Sequence, residues 1–186
     1  LGNTGAAEMG TSVALSADGK TLAFGGPKNN SSVGAVWVWV NIDGSWVAQQ
    51  NVILGTGNTG AAQVGNSISL SADGNTLAFG GYQDNSAAGA VWVYTRSGTT
   101  WTIQGTKLVG LGTAGAAAQG TSVALSADGN TLISGGSADD SNKGAVWVFV
   151  RSVGTWTQQG SKLTAGGVAA SDRVGCAVAS GAHGQI

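Results

Sequence analysis

An all-β chain made of repeated four-stranded antiparallel units is the fold this sequence predicts, and three observations predict it. The segment 10–19 returns at 65–74 and again, letter for letter, at 120–129, a spacing of 55 residues each time. Each copy holds short apolar runs separated by Asp-Gly and Gly-Gly pairs, the punctuation of strands and tight turns. No segment carries a helix cap followed by a useful 3.6-residue period. Trp37, Trp92 and Trp147 keep one register and Trp46, Trp101 and Trp156 a second, so no insertion separates the copies. The chain therefore divides into repeats 1–55, 56–110 and 111–165 and a partial fourth, 166–186.

The elements follow in order. A first strand over 12–16 ends at Ala17-Asp18-Gly19-Lys20, where Asp-Gly is expected to supply the positive φ angles of a hairpin; Asp73 and Asp128 hold the same place. The second strand, 21–25, runs into Gly25-Gly26 and a polar loop whose sequence varies between copies. In the third, 34–40, Trp37 and Trp39 share one face and Val36, Val38 and Val40 the other, so both faces call for cover. A short turn at 41–44 leads to a fourth strand from Trp46 to about Leu54, mixed in polarity like a sheet edge. Four antiparallel strands per unit, sandwiched between neighbouring units, is the recipe for a β-propeller blade. A β-solenoid is the alternative, but its coils usually repeat in about 20–30 residues with parallel strands.

At the level of motif, the third copy reads Ser137-Ala138-Asp139-Asp140-Ser141-Asn142-Lys143-Gly144-Ala145-Val146-Trp147-Val148-Phe149, then Trp156-Thr157-Gln158-Gln159-Gly160-Ser161-Lys162-Leu163. This resembles the FG-GAP repeats of integrin-α-like propellers, in a divergent, bacterial-type form. The family's Phe-Gly is here Met9-Gly10, Val64-Gly65, Gln119-Gly120 and Val174-Gly175. The resemblance implies a secreted or surface-displayed propeller. Calcium-binding members carry an Asp-x-Asp-x-Asp-Gly loop. Here Asp18, Asp73 and Asp128 stand alone in theirs, whereas Ca²⁺ takes six to eight oxygens, so these three are expected to be structural turn residues. Asp84, Asp139, Asp140 and Asn142, in the loops between the second and third strands, are the candidate cation ligands, calcium being the ion such oxygens suit.

Composition narrows the function. Eight Lys+Arg against nine Asp+Glu give a net charge of -1, with no basic field for nucleic acid or an anionic membrane. The apolar run 35–40 is far shorter than the roughly 18 residues of a membrane helix. One glutamate, Glu8, and one histidine, His183, leave little for acid–base catalysis, and a non-enzyme without cofactor is expected. Cys176 is expected to be a small buried hydrophobe. The six register tryptophans read as core between units rather than as a sugar platform. Arg96, Arg151, Lys107 and Lys162 read as solvated rim charges.

Propellers close with typically four to eight blades, and three blades and a fragment fall short. The sequence thus predicts self-association, or membership of a longer propeller, with 166–186 adding as a strand to a sheet elsewhere. The expected role is a structural or adhesive module, extracellular or on a cell surface, assembling edge to edge into oligomers or fibres. The alternative is a propeller receptor that binds a glycan or a protein through its loops.

Overall fold

The computed structural model describes residues 2–49 and 52–181. The described residues form twelve strands: β1 (Ser12–Leu15), β2 (Thr21–Gly26), β3 (Ala35–Ile42), β4 (Ser45–Ala48), β5 (Ser67–Leu70), β6 (Thr76–Gly81), β7 (Ala90–Ser97), β8 (Thr100–Ile103), β9 (Gln119–Leu125), β10 (Thr131–Gly136), β11 (Ala145–Ser152) and β12 (Thr155–Gln158). They make three separate sheets, ordered β1-β2-β3-β4, β5-β6-β7-β8 and β9-β10-β11-β12, antiparallel throughout. The predicted propeller is overturned at this point. No sheet closes into a ring among the described residues, and the outer face of the first sheet is left open, with Val13 59% and Leu15 55% exposed. Edge-to-edge assembly of blades, with the ring or fibre built on it, loses its basis with the ring.

The sheets stack because both faces of the central strands are apolar. Ala23, Val36, Val38 and Ile53 of the first sheet pack on Ala62, Val64, Leu77, Phe79, Trp92 and Trp101 of the second. Ala78, Val91 and Val93 pack in the same way on Val123, Leu125, Leu132, Trp147 and Phe149 of the third. Small and β-branched side chains thus meet aromatic and leucyl ones, an arrangement that fills the gap between sheets. Trp37, Trp92 and Trp147 are fully buried, but Trp37 faces away from the other sheets and is covered by Ala7, Phe24 and Val52. The second register of tryptophans is uneven: Trp101 is buried, Trp156 half-buried and Trp46 39% exposed.

Two local expectations are corrected. The fourth strand ends at Ala48, not near Leu54; the Gln49 amide still donates to Val38 O, and among the described residues the chain next meets the sheet at a bridge between Ile53 and Val36. Its counterparts break at Gly105 (φ 77°) and Gly160 (φ 69°), left-handed glycines that turn the backbone out of the ladder. In the Asp-Gly turns at 18–19, 73–74 and 128–129 only the glycine has positive φ, whereas Asp43 and Gly44 both do. Asp18 instead accepts hydrogen bonds from the Ser16 hydroxyl and the Lys20 amide, while Ser16 Oγ accepts from the Thr21 amide. The turns also join the sheets, since the Ala17 N–H donates to Ala72 O and the Ala72 N–H to Ala127 O.

Each sheet is clasped by the start of the next repeat. Val64 bridges Gly34 in parallel, and a Cβ on Gly34 would lie 2.2 Å from Val64 O. Ser12 Oγ donates to Gly65 O, which sits directly against Gly25. The same clasp recurs at Gly89 with Gln119 and at Gly144 with Val174. That use of 174–175 corrects the expectation that 166–186 serves another chain. Among its described residues it forms no strand, and the Arg173 and Val174 amides donate to Asn142 O and Lys143 O. Among the described residues no helix is long and apolar enough to cross a membrane.

Candidate functional site

The loop between the second and third strand of each sheet holds the longest runs of left-handed non-glycine backbone among the described residues. Asn30, Ser31 and Ser32 have φ of 49°, 55° and 69°; Asn85, Ser86 and Ala87 have 50°, 56° and 65°; Asp140, Ser141 and Asn142 have 47°, 61° and 65°. Three successive non-glycine residues therefore make a left-handed turn, in a region that disfavours L-residues by roughly 1–2 kcal/mol each and is normally visited singly. Asn and Asp tolerate it best; Ser and Ala do not share that advantage.

The surrounding backbone holds each turn in place. In the third copy the Ala138 and Asp140 amides donate to Ala117 O and Ala114 O, and the Gly144 amide closes the turn on Asp139 O. Asp139 is buried, and its Oδ1 accepts from the Ala114 N–H while Oδ2 pairs with Lys162 Nζ. In the second copy Asp84 does the same with the Thr59 N–H and Lys107. The first copy replaces both partners: Asn29 accepts from the Thr4 N–H, and Val52 stands where Lys107 and Lys162 stand. Where the cation is gone the carboxylate is gone too, as a buried charge requires.

The candidate cation ligands thus separate. Asp84 and Asp139 spend their oxygens on a lysine and a backbone amide. Asp140 is exposed, and its bond with Lys143 holds its carboxyl below the usual carboxylate range. Asn142 is exposed, and its carbonyl receives the Ser171 and Arg173 amides. Among the described residues no three His, Cys, Asp or Glu side chains gather to hold a metal. Asn142 and Asp140 instead line, with Ser141 and Ala114, an open cleft of about 530 Å³ beside the third turn.

Other predicted residues lie elsewhere. Cys176 is exposed, not buried, because the chain leaves the sheet at the clasp. His183 lies outside the described residues. Lys107 and Lys162 are partly buried ion-pair partners, not solvated rim charges. Arg96 and Arg151 are likewise engaged: Arg96 lies 5.4 Å over Trp101 and donates to Gln49 Oε1, which also takes the Trp101 N–H. Arg151, Trp156 and Gln104 repeat the set between the second and third sheets. Burial lowers both guanidinium pKa values against the opposing pull of nearby aspartates. The left-handed turns were missed by sequence reasoning, since Asn-Ser-Ser reads as any polar loop. The pairing of Asn29 with Val52, against Asp139 with Lys162, was the signal that the loops are anchored.

No protein-family model matches the chain, and no curated protein matches it. The FG-GAP resemblance is therefore not sustained. Its motif fails at the Phe-Gly position in every copy, and the sheets do not close. Among solved structures, Sqt1 of Saccharomyces cerevisiae is similar at a TM-score of 0.54 and 13% identity, over 87% of this chain and 37% of that one. TolB from Acinetobacter baumannii reaches 0.43 and 16%, over 79% of this chain and 31% of its own. These are distant, partial matches to WD40- and TolB-type proteins, and the chain spans well under half the length of either. The first describes how stacked four-stranded sheets pack and nothing of function.

Proposed function

We propose that the chain is a non-catalytic recognition scaffold, working outside the cell, that presents its left-handed turns to an uncharged hydrogen-bonding ligand. The observation that carries this reading is the strain itself: three disfavoured residues recur at one place in all three copies, held by anchors that differ in chemistry but not in purpose. Such strain persists only when the structure around it over-determines it, and it gathers at ligand-contacting sites. The side chains so displayed are amides, hydroxyls and one carboxylate, with Asn30, Ser31, Asn85, Ser86, Asp140 and Ser141 all exposed. The low charge, nine acidic and eight basic residues in 186, suits a ligand read by hydrogen bonds. It also supports the extracellular placement. This role needs neither a ring nor contact between copies.

The experiment is a binding screen on immobilised glycans and peptides with the wild type and the triple variant Asn30→Gly, Asn85→Gly, Asp140→Gly. Glycine keeps the left-handed backbone and removes the displayed group. Binding by the wild type that is lost at an unfolding midpoint no lower than the wild type's is expected, since glycine relieves the left-handed strain. A wild type that binds nothing on either surface, or a variant that binds equally, overturns the reading.

A further inference from the structure

The third sheet departs from the second at two buried core positions near the same register tryptophan. In the second sheet, Val64 and Phe79 are buried beside Trp92, with the Phe79 and Trp92 rings stacked at 6.1 Å. In the third, the equivalent positions are Gln119 and Ser134 beside Trp147, all three at 0% exposure. Gln119 Oε1 accepts the Gly110 N–H at 2.6 Å, and Gly110 lies against the pyrrole side of the Trp147 indole. Ser134 is the cross-strand partner of Trp147. Both polar positions therefore lie in the neighbourhood of one ring, Gln119 through Gly110 and Ser134 through the strand ladder.

Neither group is fully satisfied by the protein: Gln119 Nε2 and Ser134 Oγ are buried without a hydrogen-bond partner. An unpaired buried donor costs about 1–3 kcal/mol, so two in one cluster are not a neutral exchange for valine and phenylalanine. The exchange also changes volume. Gln and Ser together carry about three fewer side-chain non-hydrogen atoms than Val and Phe, roughly the room of one or two water molecules. Apolar cavities stay dry, whereas a space with two or more polar partners holds water.

We infer that the core of the third sheet is a hydration site, where one internal water accepts from Gln119 Nε2 and hydrogen-bonds Ser134 Oγ beside Trp147. The second sheet, with Val64 and Phe79, has no such site.

Water–protein NOE spectroscopy of the intact chain, with a crystal structure at a resolution that shows ordered waters, tests this. A long-lived water contacting the Gln119 side-chain amide, with density within hydrogen-bonding distance of both groups, is expected. It disappears in the double variant Gln119→Val, Ser134→Phe, which copies the second sheet. Should that variant fail to fold, Ser134→Ala and Gln119→Leu each remove one partner and must each abolish the long-lived signal. A wild type without the cross-peak, or density in which the amide bonds Ser134 directly, overturns the inference. So does ordered-water density at this place that survives in either single variant.

Discussion

The first and third sheets begin with the same letters, Thr-Ser-Val-Ala-Leu-Ser-Ala-Asp-Gly over 11–19 and 121–129, yet Val13 is 59% exposed and Val123 only 8%. Leu15 and Leu125 differ in the same sense, at 55% and 6%. The shared letters pair in the same register over 12–15 and 122–125, although β9 starts three residues earlier, and their burial is decided by whether a preceding sheet lies against them. The second difference runs the other way. At the turn anchor the two sheets have different residues, Asn29 with Val52 and Asp139 with Lys162, and reach the same backbone geometry. Packing partners are thus set by position in the stack, while the turn is set by a matched pair that tolerates either chemistry.

The sharpest way to break the first half of that comparison is to truncate matched residues. Leu125→Ala should lower stability by about 2–5 kcal/mol and Leu15→Ala by less than about 1 kcal/mol. Equal shifts in urea midpoint would mean the first sheet is covered in solution. Next in size is the anchor. Lys162→Val alone strands the buried Asp139 carboxylate and should cost about 2–4 kcal/mol, a partly exposed lysine giving less than a fully buried pair. Adding Asp139→Asn copies the first sheet and should restore most of the loss. A double-mutant cycle with no coupling would show that the pair is incidental.

Smaller again is the glutamine between sheets. Gln104→Leu takes the acceptor from the Trp156 N–H and one of three acceptors from Arg151, which keeps Asn130 and Thr76, and should cost about 1–3 kcal/mol, whereas Gln159→Leu, at the exposed equivalent, should stay within about 0.5 kcal/mol. The smallest effect belongs to the Asp-Gly turns. Hydrogen bonds from Ser126 and the Asn130 amide hold Asp128 below the ordinary carboxylate value. For Asp73 burial pushes the other way, but the bonds from Ser71 and Asn75 outweigh it. A depressed folded-state pKa stabilises above the unfolded value and is lost as pH falls through the folded one. The wild type should therefore exceed Asp128→Asn at pH 6–7 by under about 1 kcal/mol, the gap closing below about pH 4. A gap unchanged at low pH would assign the effect to shape rather than charge.

The repeat register, the antiparallel order of strands and the place of the turns were legible because period-2 alternation and Asp-Gly pairs act locally. The arrangement of the sheets was not. Val36 and Trp37 announce that both faces of a strand need cover, but not whether the stack bends round to cover the last face with the first. Nor was the candidate site visible as a site. Asp84 and Lys107 lie 23 residues apart in two polar loops, and only the fold reveals that one is buried under the other. The left-handed triplet depends on hydrogen bonds to Thr59, Ala62 and the following repeat, none of which the loop's own letters encode.

The clasp has a consequence for how the molecule is cut and recombined. Because Gly65 seats against Gly25 and receives Ser12, and because Val64 locks Gly34, the mechanically whole cassette runs from about residue 11 to 65, then 66 to 120 and 121 to 175. A shuffled or lengthened protein spliced at those joints would carry each sheet with its own fastener. A splice ten residues earlier would trade fasteners between neighbours, and Val64, Gln119 and Val174 would then each meet a loop they did not evolve beside.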